Sequence, residues 1–158
     1  LQSNCTQYKF ATPTRKQEQA MTPMYTARAT AVGGREGRVT SDDGFIDQQL
    51  QLPTGLGGKG GATNPEQLFA AGYAACFEGA LRLVARTRGI AISSAKIEAE
   101  VDIGKDETSF GLAVRLHAIV GGVDAATAQA LADGAHEVCP YSKATRGNIP
   151  VEVSASAV

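Results

Sequence analysis

Of the three cysteines in this chain, Cys76 and Cys139 stand where a thiol could do chemistry. Cys76 lies in an alanine-rich run flanked by Tyr73 and Phe77, a setting in which cysteine most often serves as a small buried hydrophobe. Cys139 shifts that expectation. It precedes Pro140 at the start of an expected helical turn, where the dipole favours thiolate, and it gives Cys76 a partner for disulfide exchange. Their separation, 139 − 76 = 63 residues, excludes a thioredoxin-type Cys-x-x-Cys. A long-range redox pair in an α+β domain would be a peroxidase-like arrangement.

Other chemistries find less support. Cys5, Cys76 and Cys139 are far apart and the only close pairing is His136 with Cys139, so no zinc spacing is present. His117 falls on the polar face of an expected strand and His136 near a helix end, and surface roles are the simpler expectation for both. There is no Gly-x-Ser-x-Gly elbow and no P-loop. Gly55-Leu56-Gly57-Gly58-Lys59-Gly60 does satisfy Gly-x-Gly-x-x-Gly ahead of a helix, which makes a nonenzymatic nucleotide- or ligand-binding module, using the glycine-rich loop 55–61, the rival from another class. Its context is poor: the preceding strand is half polar, no parallel strand follows the helix, and no acidic residue stands ready to hold a ribose. A flexible connection is the simpler account.

At 158 residues the chain suits one domain, enough to bury roughly 70% of its unfolded surface. Hydrophobic residues make up 43% and charged ones 20%, with Lys+Arg 15 against Asp+Glu 16, so no basic field points to nucleic acid. Glu78 and Arg82 interrupt the longest apolar run, from which we expect a soluble protein with no membrane partner. A cytoplasmic location is expected, though not from the run itself. Residues 1–23 are polar and aperiodic and are expected to be a flexible extension ahead of the domain, residues 24–158.

The elements that must hold the cysteines are organised around Asn64–Arg88. Asn64 can cap a helix, Pro65 suits its first position and Gln67 sits three residues after the cap, so a helix is expected to start here and to be buried, being apolar nearly all round. Before it, alternation from Tyr25 to Ala31 predicts a strand, Gly33–Gly37 a turn, Val39 a second short strand and Phe45–Leu52 a third; a glycine-rich loop, Pro53–Thr63, feeds the helix. After it, Gly89 stops the helix, and Ile97–Ile103 and Leu112–Val120 alternate as the two arms of an antiparallel hairpin. Asp124 caps a second helix through Val138, a helical turn runs over Pro140–Thr145, and Ile149–Val153 closes the domain as a strand. The order predicts an α+β domain with mainly antiparallel sheets around a buried central helix.

NPEQLFAAGYAACFEGAL, the GGREG turn before it and VCPYSKATRGN after it together resemble the organic hydroperoxide resistance proteins, the thiol-peroxidase branch of the OsmC/Ohr family. The resemblance runs from about Met24 to Val153, and Cys5 lies outside it. It implies that Cys76 is the peroxidatic cysteine, Cys139 the resolving cysteine, Arg35 the arginine that activates the thiolate and Glu66 the carboxylate that positions it. Ala74 stands where many members have Ser. The resemblance also implies an intertwined homodimer, with no metal and no bound cofactor, that reduces alkyl and fatty-acid hydroperoxides and is recycled by a lipoyl dithiol on a lipoylated protein. An OsmC-type peroxidase of broader range is the rival within the family. Leu68, Phe69, Tyr73 and Phe77 are expected to favour alkyl peroxides, packing being their other role.

One geometric expectation follows from the helix itself. Ten residues separate Glu66 from Cys76, which is roughly 15 Å along a continuous helix. A compact Arg–Glu–Cys cluster is therefore expected to take Cys76 from one subunit and Glu66, with Arg35, from the other.

Overall fold

The computed structural model describes residues 22–158. The expectations for Cys5 and for most of the N-terminal extension lie outside the described residues.

The central helix, α1, runs Pro65–Thr87. The Asn64 side chain accepts the Gln67 N–H at 2.9 Å and Pro65 occupies the first turn, as the capping pattern predicts. Just beyond its last turn Gly89 takes a φ of 67°, and the Ile90 N–H reaches back to the Ala85 carbonyl. Tyr73, Phe77, Leu81, Val84 and Ala85 bury one face. The helix is not buried all round, however: Ala71, Ala75, Gly79 and Leu83 lie on a face open to solvent in the protomer. By length and composition α1 is apolar enough to cross a bilayer, with a mean hydropathy of 1.4 over its most apolar window, because Glu78 and Arg82 do not break the run but pair with each other one turn apart. Here its buried face packs instead against a sheet and a second helix.

That sheet is a long hairpin plus one further strand. β4 (Ser94–Lys105) and β5 (Phe110–Gly121) pair antiparallel, with Ile97 opposite Ala118 and Val101 opposite Val114. Val114, Leu116, Ala118 and Val120 point inward and are buried; Arg115 points outward and bridges Glu100 and Asp102. α2 (Ala125–Val138) and α3 (Pro140–Thr145) then cross over to β6 (Val151–Ala157), which pairs parallel to β5. A parallel neighbour demands such a crossover. Both sheets are otherwise antiparallel, and the fold is α+β. Asp124 caps α2 by accepting the Thr127 N–H at 2.7 Å, and Ala128, Leu131, Ala132 and Ala135 close the core from α2.

The N-terminal strands form a separate three-stranded antiparallel sheet: β1 (Ala29–Val32), β2 (Arg38–Ser41) and β3 (Asp47–Gln49). The first and third are shorter than the alternation predicts. Tyr25 to Arg28 are not strand, and Phe45 and Ile46 stand exposed beside β3. Every residue of β1 and β3 is exposed, so alternation in this segment has no core face to select it in the protomer.

Candidate active site

α1 carries Cys76 into the gap beneath α3, and the break between α2 and α3 places Cys139 opposite it. Cys139 is fully buried and Cys76 half-buried, and their sulfurs lie 3.4 Å apart with the Cys139 thiol donating. Both are free thiols. Burial pushes the Cys76 thiol above its ordinary value; the backbone N–H of Tyr141 opposes that push, and the neighbouring Cys139 sulfur adds to it. No cation acts on Cys76 among the described residues of the protomer.

Arg35 and Glu66 meet elsewhere. Between β1 and β2 the chain makes a 3-10 turn, Gly34–Glu36, entered through Gly33 and Gly34 at φ values of 79° and 59°, where side chains are disfavoured. This turn presents Arg35 to the first turn of α1. Its guanidinium grips Glu66 with two parallel bonds, Nη1 to Oε2 at 2.8 Å and Nη2 to Oε1 at 2.6 Å. The arginine's bond holds the Glu66 carboxyl below the usual glutamate range, against the opposing effect of its burial. So the structure brings Cys76 to Cys139 and Arg35 to Glu66, and does not bring the two pairs together within one protomer.

The apolar residues divide as well. Phe69 lines the cavity that Arg35 and Glu66 share with Ile103, Phe110 and Leu112, and it stacks on Tyr141 at 6.2 Å between ring centroids. Leu68 is half-buried, while Tyr73 and Phe77 are fully buried core residues. An adjoining cavity of about 540 Å³ is lined by Arg35, Leu52, Leu56, Ile103, Lys105 and Phe110. Apart from Arg35, these lining residues come from the glycine-rich loop, the residue before it and the tip of the hairpin, and sequence reading missed them as site residues; the one available signal was apolar Leu56 and Phe110 at turns that would otherwise be polar. His136, expected at the surface, is half-buried and bonded through Nδ1 to Ser142 Oγ at 3.0 Å. His117 joins Ser154 and Ser156 on the outer face of the sheet.

The glycine-rich loop does not cradle an anion. The N–H groups of Leu56, Gly57, Gly58 and Gly60 all donate to carbonyls of Leu52, Pro53 and Thr54 within the same loop, and Asn64 with Glu66 already occupies the start of α1. Those donors are engaged, and a carboxylate beside them repels a phosphate. Among the described residues no three His, Cys, Asp or Glu side chains gather as a metal site would require.

Residues 58–154 match the family model of OsmC-like proteins. An organic hydroperoxide resistance protein of Xanthomonas axonopodis pv. citri is 53% identical over 133 residues, 83% of this chain and 94% of that protein. The chain belongs to the OsmC/Ohr family, in its organic hydroperoxide resistance branch. Solved structures agree. The organic hydroperoxide resistance protein OsmC of Legionella pneumophila superposes with a TM-score of 0.82 at 50% identity, covering 85% of this chain and 99% of that one. OhrB of Bacillus subtilis gives 0.78 at 47% identity, covering 85% and 100%. Membership makes this chain a peroxide-resistance protein, and the motifs around Cys76 and Cys139 lie inside the matched span.

Proposed function

We propose that the chain is a thiol-dependent peroxidase that reduces organic hydroperoxides, alkyl and fatty-acid, to alcohols. The observation that carries this is the 3.4 Å between the Cys76 and Cys139 sulfurs, because closing to a bond of about 2.05 Å needs little backbone movement. The Cys76 thiolate attacks the terminal peroxide oxygen: an S–O bond forms, the O–O bond breaks, and the alkoxide takes a proton to leave as alcohol. Cys139 sulfur then attacks the Cys76 sulfenic acid; the S–S bond forms, the S–O bond breaks and water departs. A lipoyl dithiol, free or on a lipoylated protein, reduces the disulfide by exchange and becomes a cyclic disulfide itself. No bound cofactor takes part.

A buried thiol without a cation is a poor nucleophile. Arg35, oriented by Glu66, supplies that cation from the second subunit of an intertwined homodimer, and the protein acts in the cytoplasm without nucleic acid or membrane. Among the described residues three features support this assembly: no cation of the same protomer acts on Cys76, small residues on one face of α1 are open, and the N-terminal sheet has no core of its own. The cavity beside Arg35, walled by Leu52, Leu56, Ile103 and Phe110, receives the alkyl tail. Phe69 adds to that wall, with Leu68, Tyr73 and Phe77 shaping the helix behind it.

The test is peroxide consumption with dihydrolipoamide as reductant. Burying a four-carbon tail at about 0.8 kcal/mol per carbon predicts that tert-butyl hydroperoxide reacts on the order of 100-fold faster than hydrogen peroxide, in kcat/KM. Equal rates would remove the role of the apolar cavity, and no consumption of either would remove the peroxidase.

A further inference from the structure

Beside the two sulfurs runs a line of hydrogen bonds that the peroxidase chemistry does not use. His136 Nδ1 lies 3.0 Å from Ser142 Oγ, Ser142 Oγ lies 2.9 Å from Tyr73 Oη, and Tyr73 Oη lies 3.1 Å from Thr145 Oγ1. Thr145 Oγ1 in turn lies 3.0 Å from the Tyr141 carbonyl. Tyr73 and Ser142 are fully buried and Thr145 nearly so, so water cannot replace the links among these three.

Each hydroxyl has one proton to give and more than one partner: Thr145 Oγ1 faces the Tyr141 and Ser142 carbonyls at 3.0 and 3.2 Å as well as Tyr73 Oη. The line holds with its protons running either way and with either neutral tautomer of His136.

The placement of these groups follows the redox pair. Tyr73 precedes Cys76 by three residues on α1, while His136 and Ser142 stand three residues to either side of Cys139. The line therefore ties α1, the end of α2 and α3 together across the same gap that the sulfurs face. It ends on the carbonyls of Tyr141 and Ser142, and the Tyr141 backbone N–H favours the Cys76 thiolate. Apolar packing alone lets a six-residue helix shift; a connected line of buried hydroxyls holds it in one register.

We propose that Ser142 and Tyr73 are positioning residues for the resolving step, holding α3 so that Cys139 stays in line with the sulfenic acid of Cys76. This rests on the peroxidase role of Cys76 and Cys139. Removing the Ser142 hydroxyl leaves His136 Nδ1 and Tyr73 Oη each short of a partner and frees α3 to move.

The experiment compares wild type, Ser142→Ala, Tyr73→Phe and Ser142→Thr after a pulse of tert-butyl hydroperoxide, reading by mass the ratio of Cys76 sulfinic acid to Cys76–Cys139 disulfide. It also follows the rate of Cys76 alkylation against pH. In Ser142→Ala the sulfinic-to-disulfide ratio rises roughly tenfold, the weight of about one buried hydrogen bond, and the alkylation profile moves to higher pH. Ser142→Thr, which keeps the hydroxyl, restores both, and the double variant Ser142→Ala with Tyr73→Phe adds little to either single one. Tyr73→Phe, which keeps the buried ring, carries the same test if Ser142→Ala does not fold. Wild-type ratio and profile in both single variants, with only the melting temperature lowered, would overturn the proposal. Absence of any Cys76–Cys139 disulfide in wild type would overturn the peroxidase reading first, and the proposal with it.

Discussion

Cys76→Ser abolishes peroxide turnover, lowering kcat/KM on the order of 10⁴-fold or more, because a serine hydroxyl in the same half-buried site stays protonated and carries no comparable nucleophile. Cys139→Ser behaves differently. Its Cys76 still completes one reduction and releases one alcohol, but the sulfenic acid has no thiol 3.4 Å away to condense with, and a second peroxide carries it to sulfinic acid. Stopped-flow peroxide consumption under single-turnover conditions, followed by mass analysis, separates the two variants. Equal loss of the first reduction event in both would show that the two sulfurs do not divide the work in this way.

Arg35→Ala slows both peroxide reduction and Cys76 alkylation near neutral pH, by about 10²-fold, the order seen when one preorganised charge is removed from an active site. Arg35→Lys recovers part of this, since it retains charge but loses the planar fork that Glu66 grips at 2.8 and 2.6 Å. Arg38 is the internal control. It pairs with Asp47 on the exposed sheet, so Arg38→Ala should leave the alkylation rate near wild type, and a larger effect from Arg38 than from Arg35 would show that the wrong arginine of the turn has been assigned.

The pH dependence has a definite sign. Glu66 has its carboxyl pKa lowered by Arg35, so the orienting pair is intact above the ordinary glutamate range and is lost only as pH falls through the lowered value. Cys76, raised by burial, governs the rate at higher pH, where reaction accelerates as the thiolate forms. Activity lost on acidification above the glutamate range therefore reports Cys76, and Arg35→Ala should displace that limb to higher pH.

Much of the scaffold could be read from residue order. Asn64, Pro65 and Gln67 define the start of α1 locally, and the strict alternation of Ile97 to Ile103 against Glu98, Glu100 and Asp102 defines β4, because each signal is carried by neighbours in the chain. β1 and β3 were read too long, since their alternating residues face no core in the protomer. The open face of α1 was hidden for the opposite reason: Ala71, Ala75 and Gly79 are as small and apolar as residues that pack inward, and composition does not tell which face is covered.

The site was legible unevenly. Cys76 and Cys139 announce themselves by type, but nothing in a spacing of 63 residues says that their sulfurs meet; that needs α3 folded back over α1. Arg35 and Glu66, 31 residues apart, were found through the family motifs and not through any local rule. Leu52, Leu56, Ile103 and Phe110 share a cavity only because the glycine-rich loop lies against the tip of the hairpin. The line from His136 to Tyr141 was invisible because each hydroxyl, taken alone, is an ordinary helix residue.

The most direct measurement is the covalent state of the cysteines after one equivalent of an organic hydroperoxide is added to the fully reduced protein. One alcohol should be released per protomer, with Cys76 and Cys139 joined in a disulfide that dihydrolipoamide then reduces to two alkylatable thiols. Peroxide reduced to alcohol while Cys76 and Cys139 both remain alkylatable would contradict the account.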